Sequence, residues 1–89
     1  MMYYLYILYS ENIDKFYVGY SVNLEERIKK HNTNHKGFTG KTNDWKVVYT
    51  EKFASKKQAF DREREIKKWK SRKKILELIY SMSTIQGGA

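Results

Sequence analysis

Apolar and polar residues alternate in blocks at the start of the chain, and the blocks predict a β-hairpin. Residues 3–9 are almost all aromatic or aliphatic, which is typical of a central strand covered on both faces. The polar segment 10–14 predicts a turn, and residues 15–20 predict a second strand that pairs with the first. The first twenty residues are therefore expected to form two antiparallel strands.

A helix and a long loop are expected next. Asn23 is a good N-cap residue, and Glu26 three positions later is placed to reach back to the cap amide. This pattern predicts a helix of about two turns that ends near Asn32. Residues 32–44 carry two glycines and three asparagines but only one large apolar residue, Phe38, so they predict one long loop.

The rest of the chain predicts a third strand and two more helices. Residues 45–53 have the β-branched and aromatic content of a strand. Ser55 and Gln58 repeat the capping pattern before a helix that reaches roughly Lys70, and Ser71 caps a third helix. The apolar residues of the third helix share one face: Ile75, Leu78 and Ile79. The order β-β-α-β-α-α predicts an α+β fold, a three-stranded, mostly antiparallel sheet flanked by helices.

Length and composition limit the domain organisation. A chain of 89 residues supports one domain, expected over 1–80, and 81–89 is expected to be a flexible C-terminal tail. The chain has no cysteine, which excludes disulfides and thiolate zinc sites and suits a reducing cytoplasm. The apolar opening is too short to span a bilayer, so no membrane partner is expected.

The chain is strongly basic, with a net charge of +8 and a pI of about 9.7, and nucleic acid is the first partner to consider. Small basic proteins are often merely basic, so charge alone leaves this open. The densest basic run covers the second helix and its exit, from Lys56 to Lys74. Lys67 and Lys70 are its candidate phosphate contacts, although a solvated helix face explains half of those charges equally well. Lys36 and Lys41 of the loop are further candidates beside Phe38, which either stacks on a base or packs against the sheet.

Two helices carry candidate chemical groups. Arg27 and His31 are four residues apart, so they project from the same side of the first helix. In the second helix, Glu63 lies on the core side and is expected to have a cationic partner or a bound metal, while Glu65 points towards solvent. A structural ion pair and a metal site both remain open for Glu63. The apolar stripe that defines the core side comprises Ala59, Phe60, Ile66 and Trp69.

Tyrosines are unusually frequent, with eight in the chain. Most are expected to fill sheet faces with an apolar ring and a wet hydroxyl. Tyr6 of the first strand and Tyr17 of the second share a face in a suitable register. Gly19 leaves space beside them, as a backbone approached by a ligand requires.

Five sequence elements in order resemble the GIY-YIG nuclease domain. The likeness covers 2–79 and is closest to small standalone bacterial members, which are similar to the amino-terminal domain of the excision-repair nuclease subunit that incises 3′ to a lesion. The elements are Tyr4-Leu5-Tyr6, Tyr17-Val18-Gly19, Arg27, His31, and Glu63 within AFDREREIKKW.

The resemblance implies cleavage of a phosphodiester bond with one divalent metal, Mg²⁺ or Mn²⁺. It implies that Glu63 holds the metal and that Tyr17 activates or deprotonates the attacking water. It also implies that Arg27 donates to the phosphoryl oxygens in the transition state. Tyr6 is expected to orient the nucleophile or the phosphate, and His31 to share in proton transfer.

Two residues depart from the family pattern. Tyr4 stands where the first motif has its namesake glycine, and Tyr20 stands where the repair subunit tends to carry lysine. The preferred hypothesis is an endonuclease acting on DNA rather than RNA. The alternatives are a catalytically silent nucleic-acid-binding module of the same fold and a protein-interaction domain with an acidic partner.

Overall fold

The computed structural model describes residues 1–33 and 38–87, with side chains omitted for 38–39 and 82–87. The order of its strands and helices is the predicted β-β-α-β-α-α. Inside the predicted long loop, Phe38–Lys41 forms a short 3₁₀ helix, so that loop is not wholly irregular. The main elements are β1 (Tyr3–Ser10), β2 (Lys15–Ser21), α1 (Leu24–His31), β3 (Lys46–Phe53), α2 (Lys56–Trp69) and α3 (Arg72–Gly87).

The three strands form an antiparallel sheet in the order β2-β1-β3, which confirms the predicted sheet. The central position of β1 explains its continuous apolar sequence, because residues 5–8 are fully buried. In the β1–β2 register Tyr6 lies opposite Gly19, and Leu8 lies opposite Tyr17. Directly paired residues share a sheet face, so Tyr6 and Tyr17 lie on the same face, as predicted.

Each face of the sheet is covered by different helices. On one face, Tyr6 and Leu8 of β1 and the buried Trp45 pack with Leu24 and Ile28 of α1. On the other face lie α2 and α3, whose apolar residues join Leu5, Ile7, Val18 and Tyr49 in a second cluster. That helical set comprises Ile66, Trp69, Ile75, Leu78 and Ile79. Helix α1 and helix α2 therefore lie on opposite sides of the sheet.

The predicted helix starts are confirmed, with one difference in how α1 is capped. The side chain of Asn23 accepts from Glu26 N at 3.1 Å, and Ser55 accepts from Gln58 N at 3.2 Å. The Glu26 carboxylate does not reach the backbone amide of Asn23, which donates to Ser21 Oγ at 3.1 Å. It accepts instead from the Asn23 side-chain amide at 3.2 Å. The backbone N–H of Asn23 is therefore satisfied by the Ser21 hydroxyl, and the N–H of Glu26 is satisfied by the Asn23 side chain.

The third helix starts as predicted and extends past the predicted domain boundary. Ser71 Oγ accepts from Lys74 N at 3.2 Å, as expected for a cap, but α3 continues to Gly87, beyond the predicted domain end at 80. The flexible tail over 81–89 stays a prediction. Across the helices of the described residues, no stretch combines the length and the apolar character that a membrane span requires.

Phe60 is the main error in the predicted core. Its side chain is 39% exposed, whereas Ala59 and Ile66 of the same helix are buried. Successive residues are about 100° apart around a helix, so Phe60 lies well to one side of the line through Ala59 and Ile66. The buried stripe of α2 is therefore narrower than its apolar sequence indicates.

One carboxylate fastens the β1–β2 turn to the end of the long loop. Asp44 accepts hydrogen bonds from the buried Ser10 hydroxyl, from Asn12 N at 3.0 Å and from Thr42 Oγ1 at 2.7 Å. These donors, the Ser10 hydroxyl first, lower the pKa of Asp44 to about 2. The ionised form of Asp44 therefore stabilises the junction of the hairpin and the loop.

Asp44→Asn is expected to lower the stability of the protein near neutral pH and to reduce its sensitivity to acid. A carboxyl group whose pKa is lower when folded contributes stability above its unfolded pKa, near 4, and loses that contribution as pH falls towards 2. The measurement is chemical denaturation at several pH values between about 2 and 7.

Asp61→Asn is the matched control, because Asp61 pairs only with exposed Lys57 among the described residues. The two variants should differ most above pH 4 and converge near pH 2. Equal stability of both variants at pH 7 would show that the Asp44 hydrogen bonds contribute nothing to the fold.

Candidate active site

Residues from four elements line one open cleft of about 490 Å³ beside the edge strand β2. Helix α1 contributes from one face of the sheet and α2 from the other, so the cleft wraps around the β2 edge. Four of the predicted catalytic residues take part. The lining residues used below are Tyr6, Tyr17, Gly19, Arg27, Lys56 and Glu63.

The Tyr6 ring lies across Gly19, and only glycine fits there. A Cβ atom built on Gly19 would lie 2.6 Å from Tyr6 Oη, 2.7 Å from Tyr6 Cζ and 3.2 Å from Tyr17 Cε2. The sequence predicts a ligand on this side of Gly19, and the structure puts the Tyr6 ring there instead. Gly19 is therefore required because the Tyr6 ring occupies the space that a side chain would need.

Tyr6 is bound from behind by His31. The Tyr6 hydroxyl and His31 Nε2 are 2.9 Å apart, and the donor of this hydrogen bond depends on the imidazole tautomer. His31 is 5% exposed, and the centroid of its ring is 4.8 Å from that of Tyr17. Burial raises the pKa of Tyr6, so its hydroxyl stays protonated at neutral pH. His31 therefore contacts both tyrosines and supports the floor of the cleft.

Arg27 brings a positive charge into the cleft beside Tyr6. The neighbouring Tyr6 hydroxyl raises the pKa of Arg27, so the guanidinium is charged at any physiological pH. Its Nε is buried, and within 1–33 and 38–87 no acceptor lies in hydrogen-bond range of that atom. An unsatisfied buried donor is costly, and Arg27 also lines the cleft.

Glu63 lies on the core side of α2, as predicted, with its side chain 15% exposed. Its carboxylate faces Lys67, whose Nζ is 3.8 Å from Oε1, a long ion pair. The same Nζ lies 5.5 Å from the centroid of the Tyr17 ring. The side chain of Glu65 is 59% exposed and pairs with Arg62 at 2.7 Å, which confirms the predicted facing of the two glutamates.

The donor set fits a divalent cation that keeps most of its water. Among the described residues, no three His, Asp or Glu side chains form a group that could enclose a metal. Glu63 offers one carboxylate beside an open cleft, which is the kind of site that Mg²⁺ uses when water and phosphate supply its other ligands.

The predicted nucleic-acid contacts are distributed unevenly. Lys67 reaches the candidate site, whereas Lys70 is exposed at the end of α2 in a left-handed conformation with φ 47°. Lys41 is exposed and lines a different cleft, next to the β1–β2 turn. Lys36 lies outside the described residues, as does the side chain of Phe38.

From the sequence, Lys56 is predicted only as one member of the basic run. In the structure it lines the cleft together with Glu63. The spacing between Lys56 and Glu63 could have predicted this position. Lys56 precedes Glu63 by seven residues, which is two helical turns and therefore the same side of α2.

Comparison with known proteins finds similar proteins from bacteria. A UPF0213 protein of Clostridium perfringens is 41% identical over 83 residues, covering 92% of this chain and 87% of the relative. A UPF0213 protein of Staphylococcus saprophyticus is 39% identical over 77 residues, covering 85% of this chain and 92% of the relative. These names state no activity.

A solved structure and a family model also match this chain. The solution NMR structure of a UPF0213 protein from Bacillus halodurans has 32% sequence identity and a TM-score of 0.54, covering 90% of this chain and 84% of that one. The family model for the GIY-YIG catalytic domain matches residues 2–75, which include all of the cleft residues named above. The chain belongs to the GIY-YIG family.

Proposed function

We propose that the protein is a metal-dependent endonuclease that hydrolyses phosphodiester bonds in nucleic acid, with DNA preferred over RNA. Membership of the GIY-YIG family indicates a nuclease-type function. The observation that carries the proposal is the meeting of two phenols, a guanidinium and a carboxylate in one cleft, although they come from four separate elements. A binding module has no need of a carboxylate that faces an anionic substrate.

In the proposed reaction, Tyr17 takes up a proton of the attacking water as its own hydroxyl proton passes to solvent in the open cleft. Tyr17 lines the cleft, and Lys67 Nζ lies 5.5 Å from the centroid of its ring. Tyr6 is less suited to this role, because burial raises its pKa and its hydroxyl already binds His31. Tyr6 therefore orients the water or the phosphate through its hydroxyl, and His31 supports it and shares in proton transfer.

Arg27 binds the scissile phosphate. Its planar fork of donors matches phosphoryl oxygens, and Arg27 lines the cleft that the phosphate would enter. Negative charge on those oxygens grows as water attacks phosphorus, so the interaction strengthens in the transition state. One P–O bond forms to the water oxygen as the bond to one sugar oxygen breaks, and the departing sugar oxygen takes up a proton from solvent in the open cleft.

Glu63 is the residue that would hold the metal, Mg²⁺ or Mn²⁺. A divalent cation held there would supply Lewis-acid stabilisation of the negative charge that develops in the transition state. The ion pair between Glu63 and Lys67 is long, at 3.8 Å, so the Glu63 carboxylate could bind a metal ion without losing a tight contact. The cytoplasmic location expected from the cysteine-free composition belongs to this proposal and stays a prediction.

Glu63→Gln is expected to abolish cleavage while leaving nucleic-acid binding intact. Removing the charge that holds the metal should lower the cleavage rate by about 10²-fold or more, because metal-assisted charge stabilisation is lost. The measurement is cleavage of labelled single-stranded, duplex and branched DNA and of RNA, with Mg²⁺ or Mn²⁺ and with chelator.

Glu65→Gln is the matched control, because Glu65 is two residues away on the solvent side of α2. That variant should cleave at the rate of the unaltered protein. Tight binding without cleavage by the unaltered protein, unchanged in Glu63→Gln, would identify the silent binding module instead. Cleavage at full rate by Glu63→Gln would contradict the proposed metal site.

Tyr17→Phe is expected to lower the cleavage rate by about 10²- to 10⁴-fold, the range for loss of a proton-transfer group. The ring and its contacts with His31 and Lys67 are kept, so folding and binding should persist. Single-turnover rates with Mg²⁺ measure the effect, with Tyr80→Phe on the exposed surface of α3 as control. If the cleavage rate of Tyr17→Phe lies within about threefold of that of Tyr80→Phe, Tyr17 is not the proton acceptor and another group takes that role.

Gly19→Ala is expected to lower both stability and activity, because its new methyl group enters the space of the Tyr6 ring. Overpacking of this kind costs about 1–3 kcal/mol in the free energy of unfolding. The test is a double-mutant cycle with Tyr6→Leu, followed by denaturant unfolding. The cost of Gly19→Ala should shrink once the ring is removed, and an equal cost in both backgrounds would place the strain elsewhere.

A further inference from the structure

Two aromatic rings form an exposed ledge beside the cleft. The centroids of the Tyr20 and Phe60 rings are 5.9 Å apart, with the ring planes 73° to each other. Tyr20 itself lines the cleft, and Phe60 precedes Glu63 by three residues on α2. Side chains at that spacing are neighbours on a helix surface, with about 5–6 Å between their Cβ atoms. We call these two residues the aromatic ledge.

Phe60 lies outside the buried stripe of α2, so the core does not cover its ring. Its side chain is 39% exposed although the buried stripe of α2 runs only a short distance away through Ala59. A single exposed apolar side chain is ordinary. This one is held in place by contact with a second ring, and the pair lies next to the candidate metal ligand.

Two cations lie close to the aromatic ledge. The guanidinium carbon of Arg64 is 5.6 Å from the centroid of the Phe60 ring, and Lys56 lines the adjoining cleft. Aromatic rings interleaved with cations are the features with which proteins bind single-stranded nucleic acid, because the rings stack on bases while the cations meet phosphates.

We infer that the aromatic ledge stacks on an unpaired nucleobase next to the phosphate held in the cleft. This inference rests on the proposed function, since it assigns the neighbouring phosphate to the same cleft. Bases inside a duplex are already stacked on both faces, so the ledge engages a base only where the strand is single, flapped or bulged. The substrate class is therefore a strand with at least one unpaired nucleotide at the cleavage position.

The test compares strands that have the same phosphates but differ in their bases. The full chain is titrated, in chelator, with a 12-nucleotide thymidine strand, with an abasic strand of equal length and with a duplex of equal length. The unaltered protein should bind the thymidine strand about tenfold more tightly than the abasic strand, the effect of roughly one stacked base. Phe60→Leu keeps an apolar side chain without a ring and should remove most of that preference.

Tyr80→Leu is the matched control, because Tyr80 is an exposed aromatic residue that does not line the cleft. It should keep the full preference for the thymidine strand. A ratio of affinities that is the same for Phe60→Leu and the unaltered protein would overturn the inference. So would a Phe60→Leu variant that weakens binding of both strands equally.

Cleavage by the same proteins in Mg²⁺ separates this inference from the proposed function. Base preference that depends on Phe60 supports the ledge even where the unaltered protein cleaves nothing, an outcome that would contradict only the nuclease. Cleavage that proceeds equally on paired and unpaired sites, with no effect of Phe60→Leu, would overturn the ledge and leave the nuclease intact.

Discussion

The packing of the Tyr6 ring over Gly19 is the constraint on which the cleft depends. It joins β1 to β2 at a position where a Cβ atom would come within 2.6 Å of the phenol oxygen, and it is locked from behind by the His31 hydrogen bond at 2.9 Å. A slip of one residue between the strands would turn every side chain of β2 to the opposite face. Tyr17 would then leave His31 and the cleft together, so register and chemistry are fixed by the same contact.

The edge position of β2 explains how residues from two faces of a sheet meet. Tyr6 and Arg27 belong to the face covered by α1, whereas Glu63 belongs to a helix that packs on the other face. A central strand would keep these groups apart, because its neighbours on both sides would separate the two layers. At the edge strand, side chains from both layers reach one opening, and the short Gly19 leaves room for the Tyr6 ring.

The sequence predicts the strands and helix starts well, because their signals are local. Caps such as Ser55 and the continuous apolar residues of β1 act through neighbouring atoms. The core side of Glu63 also follows from helical periodicity. The exposure of Phe60 does not, since the width of a buried stripe is set by how α2 meets the sheet. The His31–Tyr6 bond is equally hidden, because it joins residues 25 positions apart through tertiary packing.

Charge at the cleft illustrates how one element compensates for another. Tyr20 stands at the position where, by resemblance, the excision-repair subunit tends to carry lysine. In place of a cation, β2 offers a ring that packs against Phe60. Lys56 and Lys67 of α2 supply positive charge to the same region, one lining the cleft and the other lying 5.5 Å from the Tyr17 ring centroid. A lysine on α2 can attract a phosphate in the cleft as strongly as a lysine on β2 would. Electrostatic attraction depends on the distance between the charges and not on which element carries them.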